Sequence, residues 1–229
     1  MTMKSHTPPT IAFDIYGTLI DTHALTGMLH HHLGEKAPLF SQLWRQKQLE
    51  YSFRRGLMRE YRNFAVCTAQ ALDYAARSFG IMLTASESET LLGAYRTLPI
   101  FDDVVDGLKN AQQAGSRLYA FSNGTAADIA SLLDHAKISN LFLDIISVDE
   151  LHSFKPDPAV YRHFLARSSS TGADAWLVSA NPFDVIGAVA SGVRSIWLQR
   201  SADLLMDSWE IQPTKTIHSL TELATAITA

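Results

Sequence analysis

Residues 10–14 open with three consecutive apolar side chains, Ile11, Ala12 and Phe13, stop at the carboxylate of Asp14 and turn through Gly17. An unbroken apolar run ending in a tight polar loop predicts a strand covered on both faces, as in a parallel sheet. From Asp21 to Leu98 the apolar positions change to helical spacing. Leu39, Leu43, Leu49, Phe53 and Leu57 mark one helix, Phe64, Ala71, Leu72 and Ala75 a second, and Leu91, Leu92 and Tyr95 a later one, with Pro38 and Gly80 as punctuation. After Pro99 strand and helix alternate. Strands are predicted over 118–121, 144–148, 176–178 and 194–198, and helices over 104–114, 126–136, 154–167, 182–190 and 220–227. That alternation implies an α/β core with a parallel sheet and right-handed crossovers. The expected division is therefore a core formed by 1–20 and 99–229, interrupted by an all-helical block, 21–98, placed as a lid over one sheet edge.

Composition narrows the class without changing this picture. The chain has 229 residues, 47% of them hydrophobic, enough for one globular protein with a proper core. The net charge is -4 and no long basic block occurs, so neither a nucleic-acid nor a membrane partner is expected. Cys67 is the only cysteine, which excludes a disulfide framework and a thiolate metal cluster and suits a reducing compartment; its own pattern is that of a buried helical residue. Met1 to Pro9 carries Lys4 and His6 with no apolar stretch after it, and reads as a frayed start. A cytoplasmic protein is the expectation.

Four strand ends carry polar groups: Asp14 and Thr18, then Ser122 and Asn123, then Lys155, then Ser179, Asn181 and Asp184. In a doubly wound sheet these ends share the edge at which ligands bind. Taken singly each has an ordinary explanation. Asp14 could cap a helix or sit in a turn, Ser122-Asn123-Gly124 is a common turn, and an acid at Asp184 complements a helix N-terminus. Taken together, each after an apolar run, they predict an active site. By position alone Asp14 could be a nucleophile, a base or a metal ligand.

The run ending Asp14-Ile15-Tyr16-Gly17-Thr18-Leu19 resembles the first motif of the haloacid dehalogenase superfamily, and specifically its L-2-haloacid dehalogenases. Phosphatases of that superfamily carry a second Asp where Tyr16 stands, which argues against phosphoryl chemistry. The resemblance extends over nearly the whole chain and implies a Rossmann-like core with a helical cap. Trp44-Arg45-Gln46-Lys47-Gln48-Leu49-Glu50-Tyr51 is similar to the family's cap helix, in which the arginine matching Arg45 faces the nucleophile. Phe64 matches a pocket aromatic and Tyr161 a site tyrosine. Without the resemblance, Arg45 would read as a solvated charge, Phe64 as core and Tyr161 as a helix surface residue.

The implied roles are specific. Asp14 would attack the α-carbon of a small 2-substituted carboxylic acid, and Lys155 would keep it ionised. Ser122 and backbone donors after Asp14 would hold the substrate carboxylate, while Arg45, Asn123 and Phe64 would receive a halide. Asp184, with Asn181 and Lys155, would direct the water that cleaves the ester. Thr18, Tyr161 and Ser179 complete the catalytic set, and Ile15, Tyr16, Gln46, Leu49 and Phe183 line the substrate site. No cofactor and no metal are implied, and a homodimer is. One departure is visible in Ser179-Ala180-Asn181-Pro182-Phe183-Asp184, where alanine and proline replace a more usual serine and a small or apolar residue. Other readings of the same chain are a Mg²⁺-dependent phosphatase, a hydrolase opening azetidine-2-carboxylate, and a non-catalytic binding relative.

Overall fold

The apolar run at the start of the chain forms β1, Thr10–Phe13, with all four residues buried. The computed structural model describes residues 8–228, leaving aside the side chains of His31 and His32; the expectation of a frayed start at Met1 falls mostly on residues outside that range. Four helices follow without an intervening strand: α1 (Ala24–Leu33), α2 (Ala37–Met58), α3 (Phe64–Ser78) and α4 (Ala85–Ala94). Then come α5 (Val104–Gln113), β2 (Arg117–Ser122), α6 (Ala126–His135), β3 (Asp144–Ser147), α7 (Pro158–Arg167), β4 (Ala175–Ser179), α8 (Pro182–Ala190), β5 (Arg194–Leu198), β6 (Lys215–Ile217) and α9 (Leu223–Thr228).

The six strands form one parallel sheet in the order β3-β2-β1-β4-β5-β6. Chain order reverses on the two sides of β1, so the C-terminal ends of β1 and β4 flank the switch point at which such sheets bind ligands. Phe13 pairs with Val178 across that point, which places Asp14 and Ser179 side by side.

Two expectations needed correction. β6 was not anticipated: it is a three-residue edge strand, two of its residues polar, too short to carry a periodic signal. In α2 the leucine positions do not define the buried face. Phe40, Trp44, Gln48 and Ser52, spaced by one turn, face inward, while Leu39 is 63% and Leu57 88% exposed. The C-terminal helix opens with a 3-10 turn over Leu220–Glu222 before α9 begins.

The chain leaves the sheet for the helical segment and returns to it at neighbouring points. Ile20 and Ile100 form an antiparallel bridge, the Asp21 N–H donates to the Pro99 carbonyl at 2.8 Å, and the Phe101 N–H donates to the Leu19 carbonyl at 3.1 Å. Arg200 braces this junction from the end of β5. It donates to the Thr18 carbonyl through Nη2 at 2.6 Å, pairs with Asp103 at 2.7 and 2.8 Å, and lies 4.1 Å over the Phe101 ring.

Candidate active site

Asp14 follows β1 directly, and its N–H is still in the ladder, donating to the Val178 carbonyl at 3.0 Å. Gly17 then takes φ +82°, a conformation that glycine adopts without penalty, and turns the chain back so that Thr18 faces Asp14. The Thr18 hydroxyl accepts the Ala180 N–H at 2.9 Å and so has its proton directed at Asp14 Oδ2, 2.7 Å away. Ser179 Oγ, which accepts the Asn181 N–H, donates to the same oxygen at 3.2 Å, and Asn181 Nδ2 donates to it at 2.7 Å. Oδ2 is thus held by three donors. Among the described residues Oδ1 meets only the Lys155 ammonium, at 3.1 Å.

Lys155 is 1% exposed and uses all three protons, on Asp14 Oδ1, on Asp184 Oδ2 at 2.8 Å and on the Phe121 carbonyl at 2.9 Å. Its backbone N–H donates to Asn123 Oδ1 at 2.9 Å, tying the strand-end turn to the lysine. Asp184, in the first turn of α8, is fully buried, and its Oδ1 accepts the Tyr161 hydroxyl at 2.9 Å. Gly187 makes that packing possible, because a Cβ there would stand 2.5 Å from the Tyr161 hydroxyl oxygen and 2.6 Å from Pro156 Cβ.

The electrostatics follow from this geometry. Burial would raise the Asp14 carboxyl, but the Lys155 charge and the Thr18 and Asn181 hydrogen bonds outweigh it and hold Asp14 below the ordinary carboxylate range. Burial raises Asp184, with the neighbouring Asp14 charge adding to it, and Lys155 offsets only part of that rise. Burial opposes the charge on Lys155, yet the two carboxylates lift it above its usual value.

Arg45 reaches the same group from α2. Its Nη2 stands 3.5 Å from Asn181 Oδ1, on the other side of the amide that binds Asp14, and its Nη1 donates to Gln48 Oε1 at 2.6 Å. It has no carboxylate partner among the described residues, unlike Arg200, Arg167 and Arg54. Burial pulls its pKa down, against the attraction of Tyr95, Asp14 and Tyr16, but a guanidinium stays charged at neutral pH.

The remaining expected residues are distributed unevenly. Ile15, Tyr16, Phe64, Ser122 and Asn123 are buried around the strand ends, with Tyr16 6.1 Å from the Phe64 ring. The N–H groups of Ile15 and Tyr16 have no acceptor among the described residues. Phe183 packs edge-on to Phe53 of α2 at 5.1 Å, closing the sheet edge from the other side. Leu49 is half-buried. Gln46 is exposed and lines an outer recess with Thr22, Gln42 and Arg45, away from the Asp14 hydrogen bonds; α2 turns it outward because Trp44 and Gln48 take the inward face.

Four contributors escaped the sequence reading: Gln48, Thr68, Tyr95 and Arg200. Tyr95 stacks edge-on against Tyr16 at 5.9 Å and Trp44 at 5.3 Å, and burial pushes its phenol up to about 12. A polar residue at the inward, one-turn spacing of α2 was the available signal for Gln48. A recess of about 370 Å³ lined by Tyr16, Phe64, Tyr95, Arg96, Gly124 and Asp128 adjoins the site.

Among the described residues no three His, Cys, Asp or Glu side chains come together, and the space between the two site carboxylates is filled by the Lys155 ammonium.

Comparison with known proteins identifies the family. The family model for haloacid dehalogenase-like hydrolases matches residues 8–192. The (S)-2-haloacid dehalogenase of Pseudomonas sp. (strain YL) is 34% identical over 219 residues, 93% of this chain and 94% of its own. Haloacetate dehalogenase H-2 of Moraxella sp. (strain B) is 35% identical, across 83% of this chain and 85% of its own. Among solved structures, the L-2-haloacid dehalogenase of Xanthobacter autotrophicus with chloropropionic acid covalently bound has a TM-score of 0.91 at 26% identity, covering 97% of this chain and 99% of that one. The chain belongs to the haloacid dehalogenase-like hydrolases, within their L-2-haloacid dehalogenase subgroup.

Proposed function

We propose that the protein hydrolyses short (S)-2-haloalkanoic acids to (R)-2-hydroxy acids through an ester on Asp14. The observation that carries this reading is the Asn181 amide, which binds the Asp14 carboxylate with one end and faces the unpaired Arg45 guanidinium with the other. An ionised nucleophile and an anion acceptor thus stand one side chain apart, as displacement of a halide requires.

Asp14 Oδ1, engaged by one donor where Oδ2 has three, is the oxygen free to attack. It forms a bond to the α-carbon as the carbon–halogen bond breaks, and the halide leaves with the bonding pair toward Arg45, Asn123 and Phe64. The substrate carboxylate is held by Ser122 and by the free N–H groups of Ile15 and Tyr16. Burial strips water from the carboxylate and holds the reactants in line, which a weak nucleophile needs. A water, one proton passing to Asp184, then attacks the ester carbonyl; the hydroxy acid departs with the water's other proton on its oxygen, Asp14 returns as a carboxylate carrying one solvent oxygen, and Asp184 gives its proton up to solvent.

The α-carbon inverts once, in the first step. No cation enters the cycle, since Lys155 balances the carboxylates and Arg45 receives the halide. A cytoplasmic homodimer belongs to the same reading, with exposed Leu39, Leu57 and Met58 as apolar surface on α2. The test is halide release from (S)- and (R)-2-chloropropionate with chiral analysis of the lactate. Retention, or equal use of both enantiomers, would overturn it. In a single turnover in heavy-oxygen water the label should enter Asp14 and not the product.

A further inference from the structure

We infer that Gln48 is a positioning residue that aims the Arg45 guanidinium and, being neutral, leaves its charge free for an anion in the active site. The inference rests on the anion-binding role given to Arg45 above.

Hydrogen-bond direction fixes the Gln48 amide. Arg45 can only donate, so the Gln48 atom 2.6 Å from its Nη1 is the carbonyl oxygen, Oε1. The amide nitrogen then faces Thr68 Oγ1 at 2.6 Å and must donate to it. Thr68 can accept, because its own proton is spent on the Phe64 carbonyl one turn back in α3, at 2.8 Å. Every direction in the series is therefore fixed, from the backbone of α3 through Thr68 and Gln48 to Arg45. Gln48 is fully buried and Thr68 4% exposed, so water does not compete for these groups.

Charge supplies the second half. A partly buried arginine is ordinarily compensated by a carboxylate, as Arg200 is by Asp103 in this protein. At Arg45 the orienting group is an amide. It fixes the planar fork as an acid would, but leaves the positive charge uncompensated until an anion arrives. The Trp44 indole N–H donates to the Thr68 carbonyl at 2.9 Å, so α2 and α3 are pinned together at this level and the fork cannot swing with either helix alone.

Gln48→Glu is the discriminating variant: nearly isosteric, able to accept from Arg45, but carrying the charge the native residue lacks. Gln48→Met removes the acceptor and adds no charge. Bromide binding, followed by calorimetry, reads anion affinity without turnover. Gln48→Glu should weaken it about ten- to a hundredfold and Gln48→Met less, as expected for losing a hydrogen bond to a charged group. Thermal unfolding of Gln48→Glu should stay cooperative, because one carboxylate oxygen pairs with Arg45 and the Thr68 hydroxyl can turn from the Phe64 carbonyl to donate to the other. Ester formation from (S)-2-chloropropionate should fall in the same order. Wild-type bromide affinity in Gln48→Glu, an equal loss in Gln48→Met, or a wild type that binds no bromide would each overturn the inference. A wild type that binds bromide in this graded way yet releases no chloride would instead overturn the proposed reaction and leave the role of Gln48 standing.

Discussion

Asp14 and Asp184 are joined through a single cation, the Lys155 ammonium, 3.1 Å from one carboxylate and 2.8 Å from the other. Removing it leaves two buried like charges. Lys155→Met is expected to lose about 3–5 kcal/mol of stability at neutral pH, the usual cost of breaking a buried pair. The Asp14 part of the pH dependence should also reverse. In the native protein Asp14 is depressed below 3.8, so its contribution is present above that value and lost as pH falls through the lower, folded one. Without Lys155 both carboxyls are raised, so stability is present in acid and lost as pH climbs through their folded values. Urea unfolding from mild acid to neutrality measures this; equal destabilisation at every pH would refute it.

Asp184→Asn separates the two chemical steps. Halide should appear in the first turnover and then stop, with ester hydrolysis slowed about 10²- to 10⁴-fold, the typical worth of a general base. Mass spectrometry of the peptide containing Asp14 should then show the adduct. In the native enzyme Asp184 lies above the ordinary carboxylate range, so turnover should fall off on the acid side above pH 3.8, with an apparent value belonging to the Asp14–Asp184 pair. Loss of the first-turnover halide in Asp184→Asn would place Asp184 in the displacement step.

Arg45→Ala should slow ester formation by about 10² to 10³, the range for removing a donor that meets developing charge. Arg45→Lys keeps the charge but loses the planar fork, and should fall between. Stopped-flow halide detection makes the comparison, and an unchanged rate in Arg45→Ala would remove the leaving-group site from this pocket.

Exhaustive chelation should leave turnover intact, because the carboxylates are balanced by Lys155 and the anion by Arg45. Loss of halide release in chelator, restored by magnesium, would contradict that charge balance.

The parts legible in the sequence were those whose cause is local. β1 announced itself by an unbroken apolar run stopping at Asp14, and α8 and β5 lie over 182–190 and 194–198 as expected because a proline start, a glycine stop and an apolar strand follow in close order. The polar strand ends were legible for the same reason. Arg200 was not, since it meets Thr18 across 182 positions of sequence and nothing near either residue signals the other. Nor was the inward face of α2. Leucine spacing located the helix, but the face buried was chosen by Trp44 and by Gln48, whose burial is sustained by hydrogen bonds to Arg45 and Thr68 that no hydrophobic count registers.

The bridge between Ile20 and Ile100 means that the chain leaves the sheet and returns to it at neighbouring points. A segment with adjacent ends can be exchanged as one piece without rethreading the rest. Here that piece carries Arg45, Gln48, Thr68 and Phe64, while Asp14, Lys155 and Asp184 stay with the sheet. On the proposed mechanism, recombination at this junction would replace the Arg45 and Phe64 side of the leaving-group site, while Asn123 and the carboxylates that carry the ester chemistry would keep their places at the sheet edge.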